Sequence, residues 1–322
     1  MSQRPAKSLQ SISVPYQPPR LARANGIEIC YDIFGADDAE PMMMIMGLGA
    51  QMIHWDDDFC RELASRGFRV IRFDNRDIGL STKMAGGKPF SLFELAKLRF
   101  LGTPVEAPYK LGDMAADAIG LLDALDIASA HMVGASMGGM IAQELTIEHP
   151  DRVRSLVSIM STTGNPRLPQ PGRTVAAKLL QPQPTTYDAF VARFKQTWLF
   201  LRVGSFPEDE ARDADRAERT FARGLHPAGV GRQLRAILAS GSRKERLAAV
   251  TAPTLVIHGK VDPLVHPAGG RDTAASIPGA ELLMIDGMGH ALPISLWSRV
   301  IDAIAEHAKG ATTAPMVQRR VG

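Results

Sequence analysis

Two hydrophobic rhythms alternate along most of the chain. "RLARANGIEICYDIFG" reads as a hairpin turning at Asn25-Gly26. "PMMMIMG" (41–47) is a continuous apolar run closing on glycine, as expected of a strand buried on both faces. "HWDDDFCRELASRG" then spaces its apolar residues as a helix stopping at Gly67, and "FRVIRFDNR" (68–76) returns to strand. After the loop "DIGLST", the stretches "SLFELAKLRFL" and "MAADAIGLLDALDI" repeat at three and four, as helices do. "AHMVGA" is a strand, "MGGMIAQELTIEH" a helix and "RVRSLVSIM" a strand. From about Gly164 to Thr251 the strand pattern stops. Prolines at 166, 169, 171, 182 and 184 give way to helical stretches around 185–201, 207–223 and 230–240. "APTLVIHG", "AELLMID" and "ISLWSRVIDAIAEHAK" then restore the alternation.

Strands alternating with helices predict an α/β fold, a mostly parallel sheet flanked by helices. The strand-free stretch cannot belong to that sheet, so it is expected to form a helical cap inserted after the sixth strand. The predicted organisation is a Pro/Ser-rich lead (1–19), a core in two pieces (20–163 and 252–309), the cap (164–251) and a polar, flexible tail (310–322). An insert at that point leaves and re-enters at the carboxyl edge of the sheet, where it would act as a lid. In such sheets ligands bind beyond the carboxyl ends of the strands, so the residues closing each strand are the ones to inspect.

Composition narrows the function. Of 322 residues 45% are apolar and 22% charged, with a net charge of +3, ordinary for a globular protein. No dense Lys/Arg stripe with interleaved aromatics marks a nucleic-acid surface. No apolar run reaches the ~18 residues needed to span a membrane. The first twenty residues lack the apolar centre of a signal peptide, so a cytoplasmic protein without a membrane partner is expected. Cys30 and Cys60 have no metal-type spacing and fall in stretches that read as buried, as inert thiols. Without a metal cluster, dinucleotide fingerprint or P-loop, no cofactor is expected. The partner class is a small molecule, and the oligomeric state is not legible.

"HMVGASMGGMIAQ" (131–143) sets a lone hydroxyl, Ser136, between Gly134 and Gly138 where strand becomes helix. The string alone is a weak signal, but its placement matches a nucleophile elbow, whose glycines permit a turn that pushes the serine into the open. A serine needs a base, and the base an orienting carboxylate. His290 closes "LLMIDGMGH" on a glycine-bearing loop that can deliver an imidazole to the top of the sheet. His131 and His258, at or in strands, read as structural. His149 and His307 fall near helix ends, His226 in the insert, and His54 and His266 in loops or helix starts. For the carboxylate, Asp262 stands just past a strand with Pro263 stiffening its turn, and Asp286 is the runner-up. Ser136, Asp262 and His290 follow the chain order of α/β-hydrolases. Asp74 and Arg76 in "FDNRD" read as a carboxylate and guanidinium fixing a loop. The stretch "PEDEARDADRAER" reads as a solvated helix face, with pairs such as Glu208 and Arg212.

Four stretches, "MGLGAQMIHWDDDF", "IRFDNRDIGLST", "GASMGG" and "GMGHALP", carry a resemblance to α/β-hydrolases that covers nearly all of residues 21–308. They resemble most the subgroup of aclacinomycin methylesterase, which cleaves a methyl ester on an aromatic polyketide. The resemblance implies an oxyanion hole made by the backbone N–H groups of Leu48 and Met137. It departs from many relatives in having Met46 where they carry a histidine. The pocket is expected to draw on Met46, Met160, Trp198 and Met288, with Met137 nearby and Phe190, Phe194 and Phe200 under the lid. The function expected is hydrolysis of small or medium apolar carboxylic esters through an acyl-enzyme. Perhydrolase or lactonase chemistry on the same triad, or ligand binding without turnover, are the alternatives.

Overall fold

The computed structural model describes residues 14–86, 103–172 and 184–313 apart from 204, 205 and 208, together with 175, 178 and 181. Eight strands, β1 (Tyr16–Ala24), β2 (Ile27–Phe34), β3 (Glu40–Ile45), β4 (Phe68–Phe73), β5 (Ala130–Ala135), β6 (Val153–Ile159), β7 (Thr254–Gly259) and β8 (Glu281–Ile285), form one sheet. Their order is β1-β2-β4-β3-β5-β6-β7-β8. β2 pairs antiparallel with β1 and β4, and every other pairing is parallel. The chain passes from β3 to β4 on one side and to β5 on the other. This reversal opens a crevice beyond the carboxyl ends of β3 and β5.

The helices are α1 (Asp57–Ser65), α2 (Leu111–Ala124), α3 (Met137–Glu148), α4 (Tyr187–Arg202), α5 (Glu210–Ala222), α6 (Pro227–Ser240), α7 (Ala268–Ser276) and α8 (Trp297–Thr313). The apolar run of β3 explains the layering. Successive side chains point to opposite faces, so Met43 and Ile45 join a core with Met114, Leu121 and Ile141 of α2 and α3. Met42 and Met44 join a second core with Phe59, Leu63, Val300 and Ile304 of α1 and α8. The hairpin turn is as its dipeptide requires, with Asn25 and Gly26 both at positive φ (48° and 79°). Asp56 caps α1, its carboxylate accepting the Asp58 N–H at 2.9 Å.

Two boundaries differ from the sequence reading. β1 begins at Tyr16, inside the expected lead, although Pro18 and Pro19 lie within it. At a sheet edge a missing N–H is tolerated, and the register shifts between Gln17 and Arg20 to pass the prolines. α8 runs through Gly310 to Thr313, into the stretch expected to be a flexible tail, and the Thr312 hydroxyl donates to Glu40. A single helix glycine costs only about 1 kcal/mol, so it does not compel a stop. The expected helix "SLFELAKLRFL" lies outside the described residues.

Between β6 and β7 the described residues contain α4, α5 and α6 and no strand. Phe190 and Phe194 of α4 pack on Ala217 of α5, with Trp198 and Phe221 beside them. These helices stand over the carboxyl ends of the strands, and a cavity of about 1100 Å³ lies between.

Candidate active site

The turn from β5 into α3 is tight. Ser136 sits between them at φ 56°, ψ −120°, a conformation rarely adopted by a residue with a side chain. Its N–H donates to Ile159 O at 2.9 Å, and its carbonyl accepts from Gly139 N at 3.0 Å and Ser161 Oγ at 2.8 Å. A Cβ at Gly138 would lie 2.0 Å from the Ile45 carbonyl oxygen, and one at Gly134 would lie 2.2 Å from the Gly138 oxygen. Both glycines are therefore required by close backbone approach. Held in this way, Ser136 lines the cavity.

His290 lines the same cavity. Its Nδ1 is 2.7 Å from Asp262 Oδ2, and both residues are buried. The other Asp262 oxygen accepts backbone N–H groups from Leu264 at 2.8 Å and Val265 at 2.9 Å, which orients the carboxylate. With Nδ1 turned to this carboxylate, the neutral imidazole that donates here carries its lone pair at Nε2. The His290 N–H donates to Leu201 O at 2.8 Å, at the end of α4. Asp286 is elsewhere: its side chain is 85% exposed and pairs with Lys260 at 2.8 Å.

The segment after β3 borders Ser136, since a Cβ at Gly47 would lie 3.1 Å from the Ser136 Cβ. Asn75 Nδ2 holds the Met46 carbonyl at 2.9 Å, and Gln233 Oε1 of α6 holds the Gly49 N–H at 2.9 Å. Met137 opens α3, where an N–H has no carbonyl within the helix to meet. Leu48 and Met137 both line the cavity.

Of the pocket residues expected from sequence, Met46, Met160 and Trp198 line the cavity, as do Met137, Phe190, Phe194 and Phe200. Met288 does not. It is wholly buried in the core shared with Trp297 and Val300, its backbone held there by the carbonyl accepting from Val261 N at 3.2 Å. His131 is buried against Ser155, 2.8 Å away. His258 is buried 3.5 Å from Asp262, its Nε2 on Val265 O at 2.9 Å. Burial holds its pKa below the ordinary histidine value. His54, His226 and His266 line the cavity, and among the described residues none of them has a carboxylate at hydrogen-bond distance, Asp77 standing 3.9 Å from His226.

Arg76 pairs with Asp117 at 2.6 Å. Asp74 pairs with Arg223, accepts from Met52 N at 2.8 Å and Leu80 N at 2.9 Å, and has its pKa raised by burial despite that arginine. Both fix loops, as their sequence setting suggested. The solvated-face reading of α5 is overturned. Arg212 meets Asp56 at 2.7 Å and Asp58 at 3.1 Å, Arg216 meets Asp56 at 3.3 Å, and Arg219 meets Asp57 at 3.2 Å. Arg232 of α6 forks onto Asp77 at 2.7 and 2.9 Å. Glu208 lies outside the described residues. Sequence reasoning also missed Gln51, Asn75 and Gln233. Gln51 donates to Thr220 O at 2.9 Å and Gly224 O at 3.0 Å, joining the loop after β3 to α5. Asn75 follows closely on β4, but Gln51 stands farther along its loop and Gln233 lies inside α6, and no periodic pattern marks any of the three.

The alpha/beta hydrolase fold family matches residues 40–295. The chain belongs to that family. It is a hydrolase of the α/β-hydrolase superfamily. The rhodomycin D methylesterase DauP of Streptomyces sp. (strain C5) is 29% identical over 317 residues, covering 92% of this chain and 99% of that protein. The rhodomycin D methylesterase DnrP of Streptomyces peucetius is 28% identical with the same coverage. The solved 2-hydroxy-6-oxo-6-phenylhexa-2,4-dienoate hydrolase from Rhodococcus sp. strain RHA1 superposes with a TM-score of 0.70 over 92% of this chain and 100% of that one. At 18% identity it speaks to the fold alone. No described helix of this hydrolase is long and apolar enough to cross a membrane.

Proposed function

We propose that this hydrolase cleaves carboxylic esters of small or medium apolar acids, methyl esters among them, with Ser136 as nucleophile, His290 as base and Asp262 as its orienting acid. The observation that carries the reading is the 2.7 Å contact between His290 Nδ1 and Asp262, together with a strained serine that lines the same cavity as the imidazole. Nε2 of His290 accepts the Ser136 proton as Oγ attacks the ester carbonyl. The oxyanion is received by the N–H groups of Leu48 and Met137, each such donor lowering the barrier by ~3 kcal/mol. His290 returns the proton to the departing alkoxide, and the alcohol leaves an acyl-serine. Water, deprotonated by the same nitrogen, attacks this acyl group and frees the acid and Ser136. The names of the two relatives support a methyl ester as the leaving side.

Residues 164–251 serve in this reading as a cap, whose aromatic side chains bury the apolar part of the substrate at roughly 25 cal/mol per Å². The test is labelling of wild-type protein by a fluorophosphonate, followed by turnover on p-nitrophenyl and methyl esters of increasing acyl size, with lactones alongside. Stoichiometric labelling of Ser136 and ester turnover are expected. A chain that neither labels nor turns over any ester is not an esterase.

A further inference from the structure

His54 closes the short turn Met52–His54 and has no part in the ester cleavage described. Its imidazole lines the cavity between Phe194 and Trp198, whose ring centroids are 5.7 and 5.8 Å away. Nε2 lies 3.2 Å from Thr220 Oγ1. The one hydroxyl proton of Thr220 is already committed to Arg216 O at 2.6 Å, so at the histidine this hydroxyl accepts. Nε2 therefore carries the ring proton and Nδ1 the lone pair. A second proton on the ring is opposed by burial and by the Arg216 charge, which lower the His54 pKa to about 3. No described residue donates to Nδ1. A hydrogen-bond acceptor of fixed tautomer thus stands between two aromatic rings in the cavity wall, with Thr220 and Arg216 beside it.

We propose that His54 Nδ1 accepts a hydrogen bond from the substrate and makes the site selective for aromatic esters that carry a ring hydroxyl. The inference rests on the esterase reading and names its substrate class. The flanking rings of Phe194 and Trp198 favour a planar aromatic partner. At about 1100 Å³ the cavity lies just above the usual range of sites for drug-sized ligands, roughly 300–1,000 Å³. A ligand without the donor buries Nδ1 unsatisfied, and a site built around a hydrogen bond rejects such an analogue more strongly than it rejects a missing methylene.

The experiment measures binding rather than turnover, in a Ser136→Ala background that leaves esters intact. Calorimetry compares methyl 2-naphthoate with its isomeric hydroxy and methoxy derivatives. At least one hydroxy isomer is expected to bind tenfold or more tightly than both its methoxy counterpart and the parent ester. Adding His54→Phe, which keeps a ring but removes the acceptor, should bring that ratio close to one. His54→Asn, whose amide oxygen stands near the place of Nδ1, should retain part of it. Absence of a preferred isomer, or a preference unchanged by His54→Phe, overturns the inference. Fluorophosphonate labelling of wild-type protein is read separately, so failure of the esterase reading is told apart from failure of this one.

Discussion

The strand ends and the underside of α5 and α6 are both built from charged and polar side chains, yet they are organised in opposite ways. At the strand ends the nucleophile candidate and the carboxylate are placed mainly by their own short stretches of chain: Ser136 by the turn between β5 and α3, Asp262 by the N–H groups of Leu264 and Val265. Under α5 and α6, Arg212, Arg216, Arg219, Arg223 and Arg232 are matched to carboxylates more than a hundred residues away, at 56, 57, 58, 74 and 77. The first region is local geometry offered to a substrate. The second is long-range charge pairing that fastens one part of the protein to another. Chemistry and attachment should therefore fail separately.

The sharpest way to break the comparison is at the nucleophile. Ser136→Ala should lower ester turnover about a million-fold while leaving the thermal midpoint close to wild type, as measured by initial rates and calorimetry. A variant that kept a tenth of the activity would remove Ser136 from the reaction. Asp262→Asn should cost on the order of 10⁴-fold in kcat by favouring the wrong imidazole tautomer, whereas Asp286→Asn should be silent. The reverse result would hand the role to Asp286.

The attachment should respond in stability. Arg223→Met leaves Asp74 buried without its cation and should cost about 3–5 kcal/mol in urea unfolding. Adding Asp74→Asn should return part of that loss, which a merely bulky defect at 223 would not allow. Acid should loosen the same region. Burial raises the pKa of Asp57 and Asp77, but Arg72 and Arg219 at the first, and Arg232 and Tyr109 at the second, outweigh it and hold both below the usual carboxylate value. Their stabilisation is present above the unfolded value of about 3.9 and is lost as pH falls through the lower folded values. Asp74, raised by burial, acts in the opposite direction: what it contributes is present at low pH and lost as pH rises through its folded value. Thermal midpoints should therefore drop below about pH 4, and less steeply in an Asp57→Asn/Asp77→Asn variant. The smallest effect is expected at the exposed Lys260–Asp286 pair, where Lys260→Ala should change stability by less than about 1 kcal/mol.

The same contrast explains how much could be read from sequence. Parallel strands declare themselves by apolar runs such as 41–47, and the residues that close them are then a short list. Ser136, His290 and Asp262 come from that list, and the structure brings Ser136 and His290 to one cavity with Asp262 on the imidazole. Met288 came from the same list and failed, because proximity in sequence to a strand end does not say which side of the loop faces the cavity. The arginines of α5 failed for a different reason. A helix with charges at every turn has the same pattern whether water or a distant carboxylate receives them, and only the folded chain distinguishes the two. Gln51, Asn75 and Gln233 were invisible for the same reason, since an amide that bridges two backbone segments leaves no period behind.

One contact constrains how this architecture can diversify. The His290 backbone donates to Leu201 O, and a Cβ at Gly289 would lie 2.2 Å from that same oxygen. The end of α4 and the loop bearing the imidazole therefore share a fitted seam. A lineage altering the helices between β6 and β7 to accept new molecules can vary the apolar side chains that line the cavity, but not the glycine at 289 or the path of the chain that brings the carbonyl at 201 to it. Transplanting that whole segment from another hydrolase would succeed only where the donor brings a carbonyl to the same place.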